Sequence, residues 1–339
     1  ALTSAKLPGL TTLQMAGLTS TQLFSLKTAQ LAALSSTQIA SVSTEAFNAL
    51  GTGQVAALTT AQISALTTKQ IANMETADLA AMTTAQIASL TTDQILALTT
   101  EEIAALKTTQ LAALKTNQVQ ALTTDDMIAL STGQAAAFTT AQVAAMLPTQ
   151  LASMETADLA ATTTAQIASM TTAQVAALTL DQIKALKTAQ LAALKTNQVR
   201  ALTTDQLVAL STGQVGSLTT PQVSSMTTAQ IAGLEISDLQ AMTTAQVSSM
   251  TSSQVRALTT AEVAAFTSSQ VAALKTAQVV ALSEDQIESI ETADLAAMST
   301  GQIASMTTAQ VPALTIDQVK ALKTAQIAAL TTGQIGVLS

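Results

Sequence analysis

The chain contains no cysteine, no histidine, no tryptophan and no tyrosine, and only four phenylalanines among its 339 residues. Without Cys there are no disulfides and no thiol chemistry. Without His the usual neutral-pH general base and most zinc sites are excluded. Charge is scarce as well, at 10% of residues against an ordinary share of about a quarter. The 11 Lys and 2 Arg are scattered within a net charge of −8, whereas phosphate binding needs clustered cations, so nucleic acid is not an expected partner. Mean hydropathy is positive, yet Thr, Gln or a charge interrupts every apolar run. No stretch approaches the roughly 20 apolar residues that span a bilayer. The start, Ala1-Leu2-Thr3-Ser4-Ala5-Lys6, has neither Met nor the pattern of a signal peptide, as in a processed chain or an excerpt of a longer one.

What is present is a repeat of eight residues. Leu2, Leu10, Leu18, Leu26, Leu34, Val42, Leu50 and Leu58 begin a ladder that runs without a slip to Leu330 and Leu338, with Thr162 as its polar occupant. Taking this ladder as position one of the unit Leu-Thr-Thr-Ala-Gln-Ile-Ala-Ala, position six is a second apolar ladder. It runs from Leu7, Met15 and Leu23 to Ile335, with Ala135 as its one small member. Positions one and six are therefore expected in the core, small position eight in close contact, and variable positions four and seven in solvent. The methionines on the first ladder, such as Met74 and Met154, are expected to replace Leu there.

A continuous helix fails this period, because eight residues at about 100° each turn the apolar stripe by about 80° per unit. A strand places positions one and six on opposite faces. One short helix per octad satisfies both ladders. Thr at position two with Gln at position five spells a capping box, as in Thr59 to Gln62. Lys27, Lys107, Lys115, Lys187 and Lys195 at position two argue instead that position three caps, which makes Pro221 the first helical residue. Asp93, Asp125, Asp181, Asp205 and Asp317 then lie in first turns, as the helix dipole favours. Pro312 at position seven is tolerable only because so short a helix has little interior. A helix this short is unstable alone, so the expected fold is all-α: a solenoid, or superhelix, of stacked one- to two-turn helices.

Longer periods lie above the octad. Met74-Glu-Thr-Ala-Asp-Leu returns at Met154 and, loosely, at Leu234, and residues 154–194 return at 290–330. Duplication accounts for these offsets of ten and seventeen octads; a superhelical turn of about three and a half octads is a second reading. Residues 1–339 read as one continuous array without a boundary. Neither end carries a polar capping repeat, so continuation of the array or stacking on other copies is expected.

Candidate sites are few. Glu75/Asp78, Glu155/Asp158 and Glu291/Asp294, with Glu235/Asp238 as a variant, are paired carboxylates that could hold Ca²⁺. Against this, the Gly-rich, Asp-dense loop of calcium motifs is missing, and exposed acidic residues at helix starts explain the pairs. Glu101/Glu102 and Asp125/Asp126 read as solvated surface. No catalytic residues are expected, since no triad can form. No cofactor is expected. Rows of Thr suggest an ice-binding face or O-linked sugars, but helix capping needs the same residues.

The unit from Leu58 onward, Leu-Thr-Thr-Ala-Gln-Ile-Ser-Ala, resembles the octapeptide-repeat tracts of very large secreted or surface proteins of Gram-negative bacteria. Such proteins are often labelled adhesin-, hemagglutinin- or heme-utilisation-like. The resemblance covers essentially the whole chain and implies an extracellular or cell-surface structural protein that forms or spaces a fibre, sheath or stalk, with self-association. The alternative is a binding module for carbohydrate, ice or protein. Heme binding finds no His, Tyr or Cys ligand here.

Overall fold

In the computed structural model, residues 6–338 are described, and they are built from short helices, one per octad. The unit Thr60–Ala65 explains the rest. Its N-cap is Thr59, in extended conformation, whose hydroxyl accepts from Gln62 N (3.2 Å) while Gln62 Oε1 accepts from Thr59 N (2.8 Å). This reciprocal box satisfies two of the donors that a helix start leaves open. Position two is therefore the cap, and the expectation for position three is corrected. Position three is the first helical residue, occupied by proline at Pro148, and Pro221 is the second helical residue.

The lysines at position two do not break the pattern. Lys27 makes no side-chain cap bond, but its backbone N–H still donates to Gln30 Oε1 (2.8 Å). Half of the box survives because it needs only the Gln and a main-chain amide.

Helices such as Thr60–Ala65 stop by extending rather than by reversing. Leu66 caps the C-terminus at φ −57°, ψ 144°, and the next residue is already the next N-cap. Two extended residues thus link Thr60–Ala65 to the next helix, an αR residue precedes the link in units such as Thr92–Leu96, and no described residue has a positive φ. Glycine is not needed at the helix ends, which fits its small number in the sequence. The prolines at position seven give a different element. Around Pro312 and Pro8 the octad forms 3-10 turns, Val311–Ala313 and Leu7–Gly9. A proline there has no N–H for the i→i−4 bond, so the tighter turn replaces the α turn.

The described residues fall into two compact units, one up to Leu178 and the other from Thr179. Within the first, helices three octads apart pack on each other, as Ser36–Ala40 does with Thr60–Ala65 and Thr132–Ala137 with Thr156–Ala161. The second unit is built the same way, with Thr220–Ser225 on Thr244–Ser249 and Ser268–Ala272 on Thr292–Ala297. Each is a solenoid of stacked short helices. Its core consists of positions one and six, exemplified by Leu66, Ile63 and Ile71 in the first unit and Met250, Val247 and Leu239 in the second. Position four is exposed, as at Ala61, and positions seven and eight vary from half-buried to exposed. Among the described residues no helix is long and apolar enough to cross a membrane.

Candidate functional site

The residue that organises each layer is the glutamine at position five, which the hydrophobic pattern leaves unassigned. Gln62 is buried, and its Nε2 donates to the carbonyls of Leu31 (2.8 Å) and Leu34 (2.7 Å), 31 and 28 residues earlier. Gln118 repeats this with Ile87 (3.0 Å) and Leu90 (2.7 Å). In the second unit Gln254 does so with Val223 (2.8 Å) and Met226 (2.7 Å). One amide therefore closes its own helix through Oε1 and ties that helix to the preceding layer through Nε2. The carbonyl at position one lies just past a helix end, where no intrahelical donor reaches it. With links of 28 and 31 residues and packing between helices three octads apart, a layer takes between three and four octads. The sequence signal was the persistence of Gln at a position whose neighbours vary; the partner was invisible because it lies in another layer.

Exposed positions add lesser links. Ser36 Oγ donates to the carbonyl of Ala61 (3.0 Å) and Ser252 Oγ to that of Ala277 (3.1 Å), each 25 residues on. The ion pairs Lys184–Asp181 (3.9 Å) and Lys320–Asp317 (3.6 Å) each join exposed side chains of one helix, where such pairs contribute little.

At several octads position five is a carboxyl, and here the structure corrects the sequence reading. Glu102 and Asp126 are each 3% exposed rather than solvated, while Glu101 and Asp125 beside them are exposed. In Glu102, Oε2 accepts from Thr99 N (2.7 Å) and from the Thr99 hydroxyl (3.0 Å), and the other oxygen, Oε1, is buried with no partner. The Glu–Asp pairs divide in the same way. Glu75, Glu155, Glu235 and Glu291 are exposed N-caps that make no side-chain cap bond, whereas Asp78, Asp158, Asp238 and Asp294 are buried at position five. Both acids of a pair were expected in solvent; only the glutamates are there. The physical reason is register: position five sits between layers whatever residue fills it.

Burial raises the Asp78, Asp158 and Asp238 carboxyls above their ordinary range, and the nearby negative charge of Glu75, Glu155 or Glu235 adds to the shift. Asp158 Oδ2 is buried without a partner. The Ser268 hydroxyl donates to Asp294 Oδ1. As candidate calcium ligands these pairs supply one exposed and one buried carboxyl on a single short helix. No group of three or more acidic side chains placed to hold a metal ion occurs among the described residues.

The two irregular members of the ladders meet in space. Ala135 and Thr162 line one apolar cavity with Phe138, Met146, Ile167 and Met170. Its volume is about 10 Å³, room for no more than one water molecule. Thr162 satisfies its hydroxyl within its own turn, donating to the carbonyl of Leu159 (2.7 Å).

The family described as the ALTTAQ repeat matches residues 24–60, 38–68, 47–76, 71–108, 100–132, 151–188, 184–220, 231–268 and 287–324, well over half of the chain. No curated protein matches it.

Proposed function

The chain belongs to the ALTTAQ repeat family, and we propose that it is an extracellular or cell-surface structural protein, the subunit or stalk of a fibre, sheath or filament. The observation that carries this reading is the recurrence of one interlayer link, Gln62 to Leu31 and Leu34, Gln118 to Ile87 and Leu90, Gln254 to Val223 and Met226. A link of this kind lets an array lengthen octad by octad without designing a new core, because each unit needs only its neighbours. Sequence variety is spent at exposed position four and at position seven, half-buried or exposed, which suits a spacer better than an enzyme. In this reading the chain has no catalytic role and associates with further copies of itself.

Electron microscopy of the purified chain over a range of dilutions tests this. Filaments that persist on dilution support it; discrete particles at every concentration overturn self-assembly. A second reading, a binding module of the adhesin type, is favoured by one observation. Thr60 at position three is exposed and takes no part in capping, so that its hydroxyl can face a carbohydrate, ice or protein surface. Ligand-dependent stabilisation of a non-assembling chain selects that reading.

A further inference from the structure

Departures from the repeat unit are scattered over most of the chain, but several of them meet in one groove of the second unit. Position seven is usually Ala, yet in this stretch it is Arg256, Val280 and Glu288. Position three is Thr or Ser in nearly every octad, and Glu284 is the one charged residue found there. Arg256, Val280, Glu284, Asp285 and Gln310 line a groove of about 360 Å³. Such a volume lies at the small end of ligand pockets, roughly 300–1,000 Å³.

The backbone beneath the groove is tied down. Gln310 Nε2 donates to the carbonyls of Val279 (2.8 Å) and Leu282 (2.7 Å), and Val280, 44% exposed, stands between these two tethered residues. The charges lining the groove are of both signs. Arg256 ends the helix Ser252–Arg256, and Glu284 and Asp285 begin the helix Glu284–Glu288. The two acids stand 28 and 29 residues beyond Arg256, and 28 is also the step of the interlayer link. All three side chains are exposed, and among the described residues none of them takes part in an ion pair. The same step from Arg200 reaches Thr228 and Ala229, which carry no charge.

We propose that this groove binds a small zwitterion, an amino acid or a short peptide with free termini. The ligand's carboxylate lies on Arg256, whose planar guanidinium takes two carboxylate oxygens at once. Its ammonium has three N–H donors to share between the carboxylates of Glu284 and Asp285. Val280 receives the aliphatic part between the two charges. A simple anion also meets the acids, and a simple cation also meets the guanidinium, so only a ligand carrying both charges is matched throughout. The groove binds in this way whether or not the chain assembles, so the inference stands or falls apart from the proposed structural role.

Equilibrium dialysis of the full chain against L-alanine and against L-alanyl-L-alanine, at low ionic strength, tests this. Saturable binding of at least one of them is expected, weakening as salt is raised. N-acetyl-alanyl-alanine lacks the ammonium and alanyl-alanine amide lacks the carboxylate; each should bind more weakly than the parent dipeptide by about tenfold or more. Arg256→Ala, and Glu284→Thr combined with Asp285→Ala, return exposed positions to the repeat's usual residues. Each should weaken zwitterion binding by a similar factor, while Arg200→Ala, the same change at the other arginine, should leave it unchanged. Binding of neither zwitterion overturns the proposal. So does equal binding of a blocked analogue, undiminished binding in either groove variant, or an equal loss from Arg200→Ala.

Discussion

The side-chain nitrogen of Gln62 lies 2.7 Å from the carbonyl oxygen of Leu34, joining a helix start to a helix end 28 residues earlier. The same side chain accepts the Thr59 N–H. Local capping and long-range stacking are thus performed by one amide, so loss of the Gln62 side chain removes both.

Gln118 gives the sharpest test of that coupling. It is fully buried, accepts from Lys115 N (2.6 Å) and donates to two carbonyls. Gln118→Leu keeps the volume and strands these partners, each costing about 1–3 kcal/mol when left without a hydrogen bond. A large drop in the urea midpoint is expected. Gln14→Leu, at an exposed residue whose side-chain bonds to Thr11 stay within its own cap, is expected to cost under about 1 kcal/mol. Similar losses for the two would remove the interlayer role assigned to position five.

The core assignment has its own test. Ile63→Asp and Ile71→Asp each place a charge at a side chain with no exposure, at a cost of several kcal/mol. Ala61→Asp, on the exposed face, and Ala72→Lys, half-buried at position seven, are expected to leave thermal unfolding nearly unchanged. Circular dichroism melts of the four variants distinguish the faces.

The ladders were legible because they are apolar at fixed spacing: Leu66 and Ile63 announce themselves as core from the sequence and are core. The cap was not, because Thr fills positions two and three alike, and Lys27 pointed to the wrong one. A lysine is tolerated as N-cap here only because Gln30 serves its backbone amide. The acid layers were misread for a related reason. A carboxyl beside another carboxyl suggests surface, and nothing local in Glu75-Thr76-Ala77-Asp78 reveals that the fourth residue faces a different turn of the chain. The destination of Gln62, 28 and 31 residues away, is a property of stacking. Periodicity along the chain could suggest a turn of about three and a half octads but not which atoms meet there.

Capping at position two predicts an asymmetry between adjacent threonines. The Thr59 hydroxyl accepts from Gln62 N, while Thr60 is exposed and has no part in the box. Thr59→Val is expected to cost about 1 kcal/mol, the usual loss of an N-cap acceptor, and Thr60→Val close to none. The comparison needs only equilibrium denaturation, because both substitutions exchange a hydroxyl for a methyl.

The cavity shared by Ala135 and Thr162 predicts the opposite sign. Ala135 interrupts a ladder otherwise made of Leu, Ile, Val, Met and Phe, and the void beside it is lined by Phe138, Met146, Ile167 and Met170. Adding two methyl carbons there buries them against apolar surface already out of water. Each buried methylene contributes about 0.8 kcal/mol, less the strain of fitting a space this small, so Ala135→Val is expected to stabilise by about 1 kcal/mol. Ala135→Phe overfills the same void and is expected to destabilise by about 1–3 kcal/mol. Urea titrations with an unchanged slope would read both as changes in packing alone. A destabilising Ala135→Val would mean that the small residue is required for the close approach of Thr132–Ala137 to Thr156–Ala161, and that the void is a consequence of that approach rather than its defect.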